Sequence, residues 1–153
     1  MKIKTLAISL FASLGIGAMS ALFTLNSTKI YEHLNKPALA PPPNIFPIIW
    51  TILFILMGIS SYLIYISNNP TKNHALKIYI LQLIINFIWP LLFFNCQLYL
   101  ISFIWIILLW LIILAMIISF YKINYLASIL QIPYFLWVTF ASYLNIMVYL
   151  LNR

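Results

Sequence analysis

Gln82, Asn86, Trp89 and Phe93 are separated by steps of four, three and four, so a helix would carry them on one stripe. Tyr134, Trp137, Ala141 and Asn145 repeat the pattern nearer the C-terminus, with steps of three, four and four. Amides set among indole, phenol and phenyl rings can hydrogen-bond and stack. That chemistry recognises a flat molecule or fastens one helix to another. Fastening is the commoner use of such groups, and the spacing leaves both readings open.

Other chemistries lack their parts. Glu32 is the only acid in 153 residues, so no carboxylate pair exists for general acid/base work. His33, His74 and Cys96 fall in separate loops without metal-ligand spacing, and neither a metal nor another cofactor is expected. As the lone cysteine, Cys96 cannot form an intrachain disulfide. The eight basic residues give a net charge of +7 but are scattered through polar breaks, whereas a nucleic-acid surface needs a clustered stripe. They read as topology signals and lipid-headgroup contacts.

The elements that must position the two stripes follow from composition. With 65% hydrophobic, 17% aromatic and 6% charged residues, a domain of this size cannot cover itself with polar groups, so its solvent is lipid. A span takes roughly 20 apolar residues, which allows about five passes and one domain over residues 1–153. The expected architecture is all-α, an integral membrane bundle of five transmembrane helices at about 6–25, 45–67, 75–94, 98–120 and 125–151. Pro41, Pro42 and Pro43 forbid a continuous helix before the second run. The third and fourth runs, parted only near Asn95 to Gln97, must form an antiparallel hairpin.

No run carries an ionisable residue away from its ends, which disfavours ion-coupled transport. A buried amide facing lipid would be unsatisfied, so both stripes should face the bundle interior. The first run has two readings: a secretory signal with small residues near Ala18 to Ala21, or a retained helix whose Gly15, Gly17, Ser20 and Ala21 admit a close neighbour. Lys2, Lys4, Lys72, Lys77 and Lys122 lie on one side, against Lys29, Lys36 and Arg153 on the other. In a bacterial inner membrane this places the N-terminus in the cytoplasm and the long first loop outside.

Several groups of residues, in this order and spacing, resemble the TspO/MBR family of tryptophan-rich sensory and translocator proteins. Gly17 to Ala21 is similar to its small-residue first helix. Tyr31, Leu34, Lys36, Pro37, Pro41, Pro42, Trp50, Leu53, Met57 and Gly58 resemble its first loop and second helix. Gln82, Leu83, Asn86, Trp89, Pro90, Phe93 and Phe94 resemble its third helix, and Pro133, Tyr134, Trp137, Phe140, Ala141, Leu144 and Asn145 its fifth. The likeness runs from about residue 13 to 152 and favours the retained first helix.

The resemblance implies a five-helix bundle, usually a homodimer, with a pocket under the first loop for porphyrins and synthetic benzodiazepine-type ligands, and sterols in animal members. Carried over by position, Ala21, Trp50, Asn86, Phe93, Trp137 and Ala141 would line the pocket, with Tyr31 and Pro37 in its cap. Lys29 and Lys36 would meet propionates or simply water. The implied role is a membrane ligand-binding protein, a sensor or regulator for a porphyrin-type tetrapyrrole. A porphyrin transporter and a light-dependent porphyrin-degrading enzyme are the alternatives, the latter resting on Trp50 and Trp137. Departures are Ile30 and Leu39 at usual loop tryptophans, and Trp105 at a common fourth-helix aspartate. Ile146, Tyr149 and Leu150 break the sterol-recognition segment, so sterol binding is not expected.

Overall fold

The structure is a computed structural model that describes residues 2–153, the side chain of Thr28 excepted. Helices α1 (Ile3–Thr24), α3 (Ile45–Tyr65), α4 (Lys72–Pro90), α5 (Tyr99–Tyr121) and α7 (Ile132–Leu151) are the long elements. Short α2 (Thr28–His33) lies in the first loop, and α6 (Tyr125–Ile129) leads into α7. Counting the turn after α4 with that helix and α6 with α7, the chain has five helical segments long and apolar enough to cross a membrane. In hydrocarbon the backbone must satisfy its own polar groups, and the helix does so within one segment. The 22 residues of α1 reach about 33 Å, enough for a bilayer core.

The helices form a ring in which α1 packs on α3 and α4, α4 on α5, and α5 on α7. Rings close the gap between α3 and α7, Trp50 against Tyr134 at 6.2 Å and Phe46 against Trp137 at 5.8 Å. Met57, Ile106, Ile113, Met116, Phe120 and Val138 fill the buried centre, while Phe11, Ile104 and Leu136 face outward as lipid contacts do. Lys72 Nζ donates to the Tyr65 and Ser67 carbonyls at 3.1 and 2.8 Å, capping the far end of α3.

Proline sets the departures from the expected spans. Pro90 has no N–H for the Asn86 carbonyl, and α4 loosens into a π turn over Leu91–Asn95. Cys96 N–H donates to the Leu91 carbonyl at 3.0 Å, and Gln97, at φ 54°, reverses the chain into α5. Pro133 likewise has no N–H for the Ile129 carbonyl, so the expected single helix over 125–151 divides into α6 and α7. The first loop, for which no helix was expected from the sequence, contains α2.

α1 is a packed member of the bundle. A Cβ added at Gly17 would lie 2.5 Å from the Phe54 ring, and one at Gly58 would lie 2.9 Å from the Leu10 Cα, whereas Gly15 has open space. Gly58→Ala is therefore expected to cost about 1–3 kcal/mol in a denaturation series in mixed micelles, because a backbone atom cannot step aside. Gly15→Ala should be neutral or slightly stabilising. Equal behaviour of the two variants would mean that the helices do not cross at Gly58.

Candidate functional site

A cavity of about 360 Å³ opens between α1, α2, α3, the end of α4 and the second half of α7. Its deep wall is buried and consists of Phe54, Asn86, Phe93, Ala141, Leu144 and Asn145. Trp50, Phe46, Trp89 and Phe94 are half-buried around it, and Ala21, Leu25, Lys29, Glu32, Pro43 and Pro47 form an exposed rim. Of the eight residues named from the sequence, Ala21, Tyr31, Trp50, Asn86, Phe93 and Ala141 converge here.

Pro37 and Trp137 do not reach the cavity. Pro37 is buried in the loop turn, where its carbonyl accepts from the Ala40 N–H at 3.0 Å. Trp137 stands behind Phe46, which touches its ring from the cavity side, and lines an outer apolar groove with Ile49, Ile52, Leu53 and Leu136. Its Nε1 is buried without a partner among the described residues. Trp50 is therefore the one member of the tryptophan pair at the cavity. Gly17 and Leu144, quoted for the family resemblance but not as site residues, and Thr24, Phe46 and Pro47, which the sequence did not single out, also belong to the wall. Phe46 and Pro47, coming directly after the triple proline at the mouth of a span, carried the most readable signal.

The two stripes find each other. Tyr134 Oη donates to Gln82 Oε1 at 2.8 Å and accepts from Asn86 Nδ2 at 2.7 Å, all three side chains being buried. Trp89 Nε1 donates to Asn145 Oδ1 at 3.0 Å, and Asn145 Nδ2 donates to the Tyr99 carbonyl at 2.8 Å. These bonds tie α4 to α7 and α7 to the start of α5. Fastening and lining thus coexist in the same residues, with Gln82 wholly structural and Asn86 shared. The Asn86 amide gives one of its two N–H donors to Tyr134, which leaves the second N–H, the side-chain carbonyl and a backbone carbonyl deprived of its helical donor by Pro90 to meet a ligand. Trp105, at the position of the missing acid, donates through Nε1 to the Ile85 carbonyl at 2.9 Å and joins α5 to α4.

The cap is aromatic. Tyr31 packs against Phe46, Phe94 and Phe93 at 5.8, 6.2 and 6.4 Å, and its Oη is buried without a partner among the described residues. Desolvation raises its pKa, so the phenol stays neutral and can either donate or accept. Lys36 Nζ sits 4.9 Å above the Tyr31 ring and donates to the Glu32 carbonyl at 3.4 Å, while Lys29 lies on the rim. Among the described residues no three His, Cys, Asp or Glu side chains gather into a metal site.

Five bilayer-length helical segments around an apolar hollow walled by rings and shared amides define a multi-pass membrane protein with a ligand-sized cavity. Comparison with known proteins agrees: the TspO/MBR family model matches residues 7–150, and the chain belongs to that family. It is 36% identical to the tryptophan-rich protein TspO of Chlorobaculum tepidum, covering 99% of this chain and 98% of the relative. The TspO protein of Archaeoglobus fulgidus is 35% identical over 99% of both chains. The translocator protein of Sus scrofa is 32% identical over 80% of this chain and 75% of its own.

Proposed function

We propose that this protein is a membrane sensor or regulator that binds a flat, largely apolar molecule of the porphyrin type in the cavity beneath the first loop. One observation carries the reading: a largely apolar hollow of about 360 Å³ holds both the Asn86 amide and an unpartnered Tyr31 phenol. Rings at Trp50, Phe93 and Phe94 offer faces and edges to a conjugated plane. Ala21 and Ala141 leave it room, and Lys29 on the rim, with no bond among the described residues, can meet a carboxylate, whereas Lys36 is engaged with Tyr31 and Glu32. The names of the relatives, sensory and translocator proteins, support a role in ligand recognition. Occupancy would be reported by a shift of the first loop or of a homodimer contact. We place the protein in a bacterial inner membrane with its N-terminus in the cytoplasm, on the distribution of basic residues.

The test is titration of the purified protein in detergent with protoporphyrin IX, following tryptophan quenching and the porphyrin absorbance band together. Saturation at one porphyrin per chain, with affinity lowered roughly tenfold or more in Trp50→Ala, is the expected result. Linear quenching that never saturates, or identical curves for both proteins, would sink the reading.

A further inference from the structure

The exposure of the cavity wall is not evenly distributed. Its buried members include Asn86 of α4, Phe93 of the turn after it, and Ala141, Leu144 and Asn145 of α7 beside Thr24, Tyr31 and Phe54, while every exposed one belongs to the end of α1, to α2, or to the approach and first turn of α3. The mouth therefore lies between α1 and α3, edged by Ala21, Leu25, Pro43 and Pro47, with Lys29 and Glu32 at its watery corner. Packing explains the slot. Gly17 against Phe54 and Gly58 against Leu10 and Ser13 pin these helices together deep in the membrane. Toward the loop, Ser20, Ala21 and Thr24 of α1 and Phe46, Pro47 and Trp50 of α3 line the cavity between them. Among the described residues no hydrogen bond joins α1 to α3, and Asn95 Nδ2 holds the end of α1 toward the π turn through the Phe23 carbonyl at 3.0 Å.

The water side is closed differently. Asn35 N–H donates to Asn152 Oδ1 at 2.9 Å and Asn152 Nδ2 returns a bond to the Asn35 carbonyl at 2.9 Å, stapling the first loop to the end of α7. Tyr31 beneath it is packed on three rings. Lifting the loop would break those bonds and expose the cluster to water, whereas among the described residues parting α1 from α3 breaks no hydrogen bond between the two helices and exchanges one apolar contact for another. The α3/α7 seam is stopped by Phe46 against Trp137.

We propose that the cavity is loaded sideways from the bilayer interface, through the slot between α1 and α3, while the first loop stays shut. The ligand class is then an amphiphile that first partitions into the membrane, its apolar body passing Ala21 and Pro47 and its charged end trailing toward Lys29. The proposal rests on the binding role above.

Its test uses proteoliposomes of the full chain carrying Cys96→Ser, since Cys96 is exposed and free. Protoporphyrin IX is added and tryptophan quenching is followed in time. Asn35→Cys with Asn152→Cys locks the loop on oxidation, and association within about twofold of the reduced protein is expected. Leu25→Cys with Pro43→Cys, joined by a short bis-maleimide, should slow association roughly tenfold or more relative to the same variant before bridging. Thiol titration verifies each link. A tenfold slowing by the loop lock, or no slowing by the bridge, overturns the route. Saturable binding by the parent protein with either of those results removes the route alone. Absence of saturable binding in the parent removes the binding role, and the route falls with it.

Discussion

Tyr134→Phe is expected to destabilise the bundle by about 2 kcal/mol while removing a single oxygen atom. That hydroxyl is both the donor to Gln82 Oε1 and the acceptor from Asn86 Nδ2, and it is fully buried. Its loss strands one amide acceptor and one amide donor, each costing about 1–3 kcal/mol in a soluble core and less between membrane helices. Among the described residues the Gln82 side chain makes one other bond, a weak one from Nε2 to Met57 Sδ at 3.9 Å, which gives no relief to its oxygen. Replacing all three partners, with Gln82→Leu, Asn86→Leu and Tyr134→Phe together, should recover most of the loss, because no buried polar group is then left unpaired. Unfolding of both proteins in mixed micelles measures the difference. If the single variant unfolds with the parent, or the triple variant is the weaker of the two, the triad is not what joins α4 to α7.

The second large effect is on binding. Ala141 is buried in the cavity wall on the face of α7 that meets Asn86 and Trp50 across the hollow. Ala141→Phe puts a ring into a space of about 360 Å³ that a flat ligand must occupy. Affinity for protoporphyrin IX should fall by about a hundredfold or more, equivalent to about 2.7 kcal/mol. Leu136→Phe, five residues earlier and facing the outer groove, adds a comparable ring where only lipid is displaced, and should leave affinity and unfolding unchanged. Parent-like binding by Ala141→Phe in a stably folded protein would mean that porphyrin sits elsewhere. Loss in both variants would point to a general response of α7 to bulk.

Membrane class, five passes and the inward aim of the two stripes were legible because lipid simplifies the problem: long apolar runs must be helices, and their amides must face away from hydrocarbon. Family resemblance, quoted on residues such as Trp50, Asn86 and Ala141, was legible for the same reason, since spacing along rigid helices survives into space. Element ends were less so. The division of the last run at Leu130 and Gln131, and the π turn after Pro90, follow from prolines that were visible in the chain but whose backbone response depends on what packs beside them. α2, six residues in a polar loop, has no periodic signal of its own and rests on Tyr31 finding Phe46, Phe93 and Phe94.

What the chain determined by itself, then, was a set of helices and the faces they turn inward, because both are set by local spacing and by the cost of polar groups in lipid. The tertiary structure decided which inward groups meet. Asn145 found Trp89, and Asn86 found Tyr134. Trp137, on the same stripe as Ala141, fell behind Phe46 and missed the cavity. Helix crossing and the reach of individual side chains control those outcomes, and neither is encoded in the spacing of one helix alone. The wall that α1 and α3 share has the same origin, since Ser20, Ala21 and Thr24 come beside Phe46, Pro47 and Trp50 only because the helices cross in close contact at Gly17 and Gly58.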